Sequence, residues 1–209
     1  MGKIFDYDSK FFAGMTKVSD TIIINILFVI CSIPIVTIGA SITALYSVSM
    51  KITRDEDVYA AKEFIKQFKQ NFKQSTIIWL ILLVVGLFIG LDFYLCSLMS
   101  NDTMGMVFKF VFTLVSVVLA FVLIYAFPLT ARFENSIKNT LSNSILMSIQ
   151  HLPYTLIMVV LTSAPILAFI LFSQYWGQII FFNTCISFGF IAYINSIFFN
   201  KIFNKYIQE

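Results

Sequence analysis

Long apolar stretches separated by short charged segments set the plan of this chain. Residues 21–50, 75–91, 110–131 and 139–200 contain no Lys, Arg, Asp or Glu. Windows of about 19 residues within them qualify as membrane spans. They predict an all-α, polytopic membrane helical bundle: one integral membrane domain over residues 1–209, with about five transmembrane helices at 21–50, 75–95, 108–127, 154–172 and 178–199.

Two amphipathic helices are predicted between spans. From Val58, the residues Ala61, Phe64, Ile65, Phe68 and Phe72 recur at three- to four-residue steps, while Lys62, Lys66, Lys69 and Lys73 take the other side. Asp55, Glu56 and Asp57 precede the first turn, where negative charge suits the helix dipole. Over 131–154, Phe133, Ile137, Leu141, Ile145 and Ile149 follow at every fourth position, and Ser136, Thr140, Asn143, Ser144 and Ser148 form the polar remainder. Pro153 then resets the chain, as Pro128 ends the third span. Asn101, Asp102 and Gly105 mark a turn between the second and third spans.

The first apolar block is too long for one crossing and too short for two. Its thirty residues would span about 45 Å as straight helix, whereas one crossing takes roughly 20 residues. Pro34 removes a backbone donor and disfavours helix at Ile33, and Gly39 permits a turn or a close helix contact. The first span is therefore expected to break near Pro34, and two readings follow. Either one kinked span exports the amino-terminal segment, or 21–33 descends, PIVTIG turns at membrane depth, and 41–51 returns. Non-helical backbone at that depth must be satisfied by protein or a water-filled cavity, so the second reading predicts a functional cavity. Pro34, Thr37, Gly39 and Ser41 are the candidate residues, as a functional or a packing element.

Composition agrees with residence in lipid: 12% of residues are charged and 59% hydrophobic, against about 25% and 45–50% in a soluble domain. The net charge of +3 is no nucleic-acid footprint, because the basic residues sit in short loops. Six Lys and Arg fall in 51–73, two in 132–138 and two in the tail, while the opposite loops contribute Lys109 alone. The positive-inside rule then makes those three regions, and the carboxyl terminus, cytoplasmic in a multi-pass plasma membrane protein. Lys3, Lys10 and Lys17 favour the same side for the amino terminus, which a single crossing over 21–50 would forbid.

Chemistry is sparse. No G-x-x-x-x-G-K-[ST] loop is present, and the single histidine, His151, cannot complete an H-E-x-x-H zinc site. Cys31, Cys96 and Cys185 lie far apart in apolar surroundings and read as packed thiols. Asp92 and Lys109 flank two spans and could pair at the outer surface. No enzyme and no cofactor is expected. The polar residues of the last span are the other candidates: Asn183 and Asn195, with Thr184, Ser187 and Ser196, must turn toward other helices or a solute path, and Asn25 is a candidate partner for them. Lys62, Lys66, Lys69 and Lys73 are the candidate cytoplasmic interface, facing anionic lipid or a partner protein.

FDYDSKFF at the start, CSIPIVTIGASITALYSVSMK, and RDEDVYAAKEFIKQFKQNFKQS leading into a Trp-containing span together resemble the YesL-like family of uncharacterised bacterial membrane proteins. PIVTIGA and FKQNFKQ carry most of that resemblance, which extends over essentially the whole chain. In that family the genes often neighbour those of ATP-driven carbohydrate importers. The resemblance thus implies an accessory or assembly role beside sugar permease or ATPase subunits, and it supplies no catalytic residues. The alternative is a stand-alone small-solute transporter or channel. Either is compatible with a homo-oligomer.

Overall fold

The computed structural model describes residues 10–98 and 103–207, and the turn expected at Asn101 and Asp102 lies outside them. Among the described residues eight α-helices follow one another: α1 (Lys10–Cys31), α2 (Ile38–Ile52), α3 (Ala60–Leu98), α4 (Thr103–Arg132), α5 (Ile137–Gln150), α6 (Leu152–Leu171), α7 (Trp176–Phe182) and α8 (Phe188–Ile207). A 3₁₀ turn at Ile35–Thr37 joins α1 to α2, another at Ser173–Tyr175 leads into α7, and a π-helical stretch, Asn183–Ser187, fuses α7 to α8. Among the described residues there is no β-strand. Among the described residues six helical segments are long and apolar enough to cross a membrane, as in a helical membrane protein.

The 21–50 block is two helices, not one kinked span. Pro34, at φ −75° and ψ 122°, is extended and stops α1. The chain then reverses, because Lys17 near the start of α1 is ion-paired with Asp55 just beyond the end of α2. The α1 helix also starts at Lys10, well before the expected position 21: Lys17 and Asp20 mark a change of polarity but do not interrupt the helix. Asp55 takes a left-handed φ of 58°, a conformation a short polar side chain tolerates, and this turns the chain from α2 toward α3.

Two further expectations need correction, and the face that α5 buries can now be given. The lysine-bearing amphipathic segment and the second span form one unbroken helix of 39 residues, about 58 Å long, since nothing between Ala60 and Leu98 interrupts helical backbone. The third span continues through Pro128 to Arg132 as α4, where Thr130 Oγ1 back-bonds to the Ala126 carbonyl. In α5 the buried residues are Thr140, Ser144, Met147 and Ser148, whereas Ile145 and Ile149 of the apolar stripe are exposed, Ile149 by 59%. The hydroxyl face turns inward because small groups allow close packing, while an apolar face costs nothing against lipid. The α5 helix is capped by Ser136, whose hydroxyl accepts the Asn139 N–H.

The core lies where α2 is enclosed. Ala44, Leu45, Val48 and Met50 pack with Ile24 of α1, Phe64 of α3, Tyr125 of α4 and Phe199 and Phe203 of α8. The rings of Tyr46 and Tyr125 both meet Phe199 edge-on, at centroid distances of 5.6 and 5.3 Å. A second cluster, Ile78, Leu82, Val122, Ala126 and Phe127, seals α3 against α4.

Candidate functional site

At the α1–α2 turn, polar backbone groups find protein partners. Thr37 Oγ1 stands 2.6 Å from the Cys31 carbonyl and 2.8 Å from that of Pro34, its single proton serving the two. Trp79 Nε1 donates to the Ile35 carbonyl at 2.7 Å, and Ser41 Oγ donates to that of Thr37. Gly39 is the close-approach residue: a Cβ there would lie 2.5 Å from the Ser75 carbonyl oxygen and 2.6 Å from Trp79 Cβ. Beside it Thr43 Oγ1 and Ser75 Oγ share a buried hydrogen bond of 2.8 Å. Pro34, Thr37, Gly39 and Ser41 thus belong to one junction with α3, where the Thr37 and Trp79 side chains supply the protein partners that a turn at membrane depth requires.

The last span supplies two separate polar junctions. In the first, Asn25 Nδ2 donates to the Thr184 carbonyl and Asn25 Oδ1 accepts the Gly189 N–H, both at 2.7 Å. The π-helical stretch around Thr184 displaces the regular ladder and presents that carbonyl sideways. Gly189 is required here, since a Cβ would sit 2.7 Å from the Thr21 carbonyl oxygen. In the second junction, buried Asn195 donates through Nδ2 to Tyr46 Oη (3.2 Å) and Thr162 Oγ1 (3.1 Å), joining α8, α2 and α6. Asn195 Oδ1 and the neighbouring Ser196 hydroxyl are buried without a hydrogen-bond partner.

Asn183 stands elsewhere. It lines a cleft of about 1180 Å³ between α6 and the α7–α8 rod, with Pro165, Ala168, Phe182, Ser187 and Phe190. Pro34, Thr37, Gly39, Ser41 and Asn195 do not line that cleft. No ion pair joins Asp92 to Lys109 among the described residues.

Polar contacts that pattern reading missed gather on one end of the bundle. Asn200 donates to the Met50 carbonyl and Thr53 Oγ1 and accepts from Arg54, tying the end of α8 to the end of α2. Tyr125 donates to Thr155 Oγ1, which in turn donates to the Ser148 carbonyl. His151 and Tyr206 are hydrogen-bonded at 3.0 Å, and burial, then Lys205, lowers the imidazole pKa. Lys51 pairs with Glu63 at 2.6 Å. Only an asparagine or tyrosine embedded among apolar residues signalled these sites. The four lysines Lys62, Lys66, Lys69 and Lys73 are exposed along α3; Lys66 lies 3.8 Å from Glu63, and the other three have no ion pair among the described residues.

Residues 21–93 match a family model described as "Protein of unknown function, DUF624". The match covers the second half of α1, α2 and most of α3, and so holds the Gly39 junction, Asn25 and the lysine row, but not the α6–α8 cleft. No curated protein and no solved structure matches the chain.

Proposed function

We propose that this chain is a non-enzymatic, multi-pass plasma membrane protein that serves as an accessory or assembly subunit of an ATP-driven carbohydrate importer. Its docking element toward the permease or ATPase subunits is the lysine row of α3. The carrying observation is that Lys62, Lys66, Lys69 and Lys73 are exposed on a helix continuous with a span. Eleven residues separate the first lysine from the last, about 16 Å of rise, so the row extends along α3 as a rigid rod. A row of that length outreaches the headgroup layer if α3 stands upright, and an acidic protein surface is then its complement. The positive-inside rule assigns this basic end, with the carboxyl terminus, to the cytoplasm. The word carbohydrate rests on the resemblance to the YesL-like family alone.

The test is isolation of a chromosomally tagged chain from native membranes in mild detergent. A sugar permease or its ATPase should co-purify with the natural chain and be lost when the four lysines become glutamine, while the variant's melting temperature stays unchanged. Recovery of the natural chain with no transporter subunit removes the proposal.

One observation favours a second reading. The cleft that Asn183 and Ser187 line would give a stand-alone small-solute transporter or channel its path. Solute flux in proteoliposomes containing only this chain, abolished by Asn183→Leu, would support that reading instead.

A further inference from the structure

The reach of the α1–α2 hairpin can be measured against its neighbour. Its turn is fixed to α3 by the bond from Trp79 to Ile35 and by the contact of Gly39 with Ser75 and Trp79. Trp79 follows Lys73 by six residues, about 9 Å of helix rise. Lys73 is exposed, and a lysine keeps its ammonium in water while its stem crosses apolar surroundings. Whatever the tilt of α3, Trp79 then lies no deeper below that lysine than about 9 Å, and the turn is within a side chain of Trp79. A hydrocarbon core is about 30 Å thick. From Trp79, α3 continues nineteen residues to Leu98, about 28 Å, which exceeds the roughly 21 Å left of a crossing.

The surface of the hairpin agrees. No charged residue lies between Asp20 and Lys51. At the turn Ile33 is 76% exposed and Ile35 64%, with Val36 beside them, and Ile23, Ile26 and Ile30 continue the apolar surface along α1. A hairpin held in water would leave this contiguous patch unburied, whereas one seated in a leaflet covers it with acyl chains. The turn also meets the requirement of a non-aqueous setting, since Thr37 and Trp79 bond the carbonyls of Cys31, Pro34 and Ile35. Lys17 and Asp55 hold the two open ends together on the basic face.

We infer that the α1–α2 hairpin is a one-leaflet anchor: it enters and leaves through the basic face and seats Ile33, Ile35 and Val36 among the acyl chains of the near leaflet. The full crossings are left to α3, α4, α6 and the α7–α8 rod. This assignment is independent of any transporter partner.

The experiment replaces Cys31, Cys96 and Cys185 by alanine in the full chain and introduces one cysteine at a time: Ala13→Cys, Val36→Cys, Lys66→Cys or Gln174→Cys. A membrane-impermeant maleimide is applied to right-side-out and inverted vesicles. Ala13→Cys and Lys66→Cys should label from one side, Gln174→Cys from the other, and Val36→Cys from neither until detergent is added. Labelling of Val36→Cys from the Gln174 side would show a full crossing and overturn the inference. Labelling from the Lys66 side would place the turn in water and overturn it equally. A second measurement keeps the native cysteines: a photo-cross-linking benzophenone amino acid at Ile35, irradiated in native membranes, should yield a phospholipid adduct, and its absence would also overturn the inference.

Discussion

The helices α2 and α6 contrast two ways of living in this fold. Twelve of the fifteen residues of α2 are buried, and they include Gly39, Ala40, Ser41, Thr43, Ala44, Ser47 and Ser49. In the twenty residues of α6, which is far richer in Leu, Ile and Val, only Thr155 and Met158 are buried. In water the order would be reversed, because burial there follows apolar area. In lipid an isoleucine facing outward loses nothing, and the interior is taken by side chains small enough for close backbone approach or polar enough to need a partner. The difference teaches that the less hydrophobic of the two helices is the one that packs at the centre of this bundle.

Substitutions can break that contrast or sharpen it. The largest effect is expected at Gly39→Leu, where the new side chain meets the Ser75 backbone and Trp79. Overpacking against main chain should cost on the order of 3 kcal/mol, whereas Val160→Ala on α6, at a position 64% exposed, should stay within about 0.5 kcal/mol. Thermal unfolding in one detergent measures both, and equal shifts would mean that the two helices are not differently placed. Next comes Asn195→Leu, which cuts the junction joining α8 to Tyr46 of α2 and Thr162 of α6. A loss of about 1–2 kcal/mol is expected, and combining it with Tyr46→Phe should be less than additive because the two share a bond.

The smallest effect concerns pH. His151 lies outside the spans, and its folded-state pKa is lowered, first by burial and then by Lys205. As pH falls, the unfolded chain takes up the proton first. Stability is therefore flat above the usual imidazole value of about 6.5 and declines as pH drops through it toward the folded-state pKa. Melting temperatures between about pH 5 and 8 should show that decline in the natural chain and a shallower one in His151→Gln.

Much of the helix plan was legible in the sequence because charge is so rare that each cluster marks a boundary of an apolar block. Pro34 and Gly39 were legible for the same reason, being backbone specialists inside a helical run. The fusion of the lysine segment with the second span was not: Lys, Gln and Phe all favour or tolerate helix, so the change from amphipathic to apolar alters surroundings without altering backbone. The periodicity over 131–154 separated the two faces of α5 without saying which one turns inward, and in a membrane protein small hydroxyl residues can take the interior. The π-helical stretch at Asn183–Ser187 has no residue signature, and the carbonyl that Asn25 uses could not be foreseen from side chains.

The bonds from Asn200 to the end of α2 span about 150 positions of sequence. During synthesis the first hairpin therefore emerges long before the group that completes its far end, and the Met50 carbonyl stays without that donor until the last helix has been made. Synthesis of α8, and not insertion of the early segments, is then the step that allows these bonds to close. A ribosome-stalled chain ending before Asn200 should remain open to the proteases and chaperones that watch over membrane biogenesis.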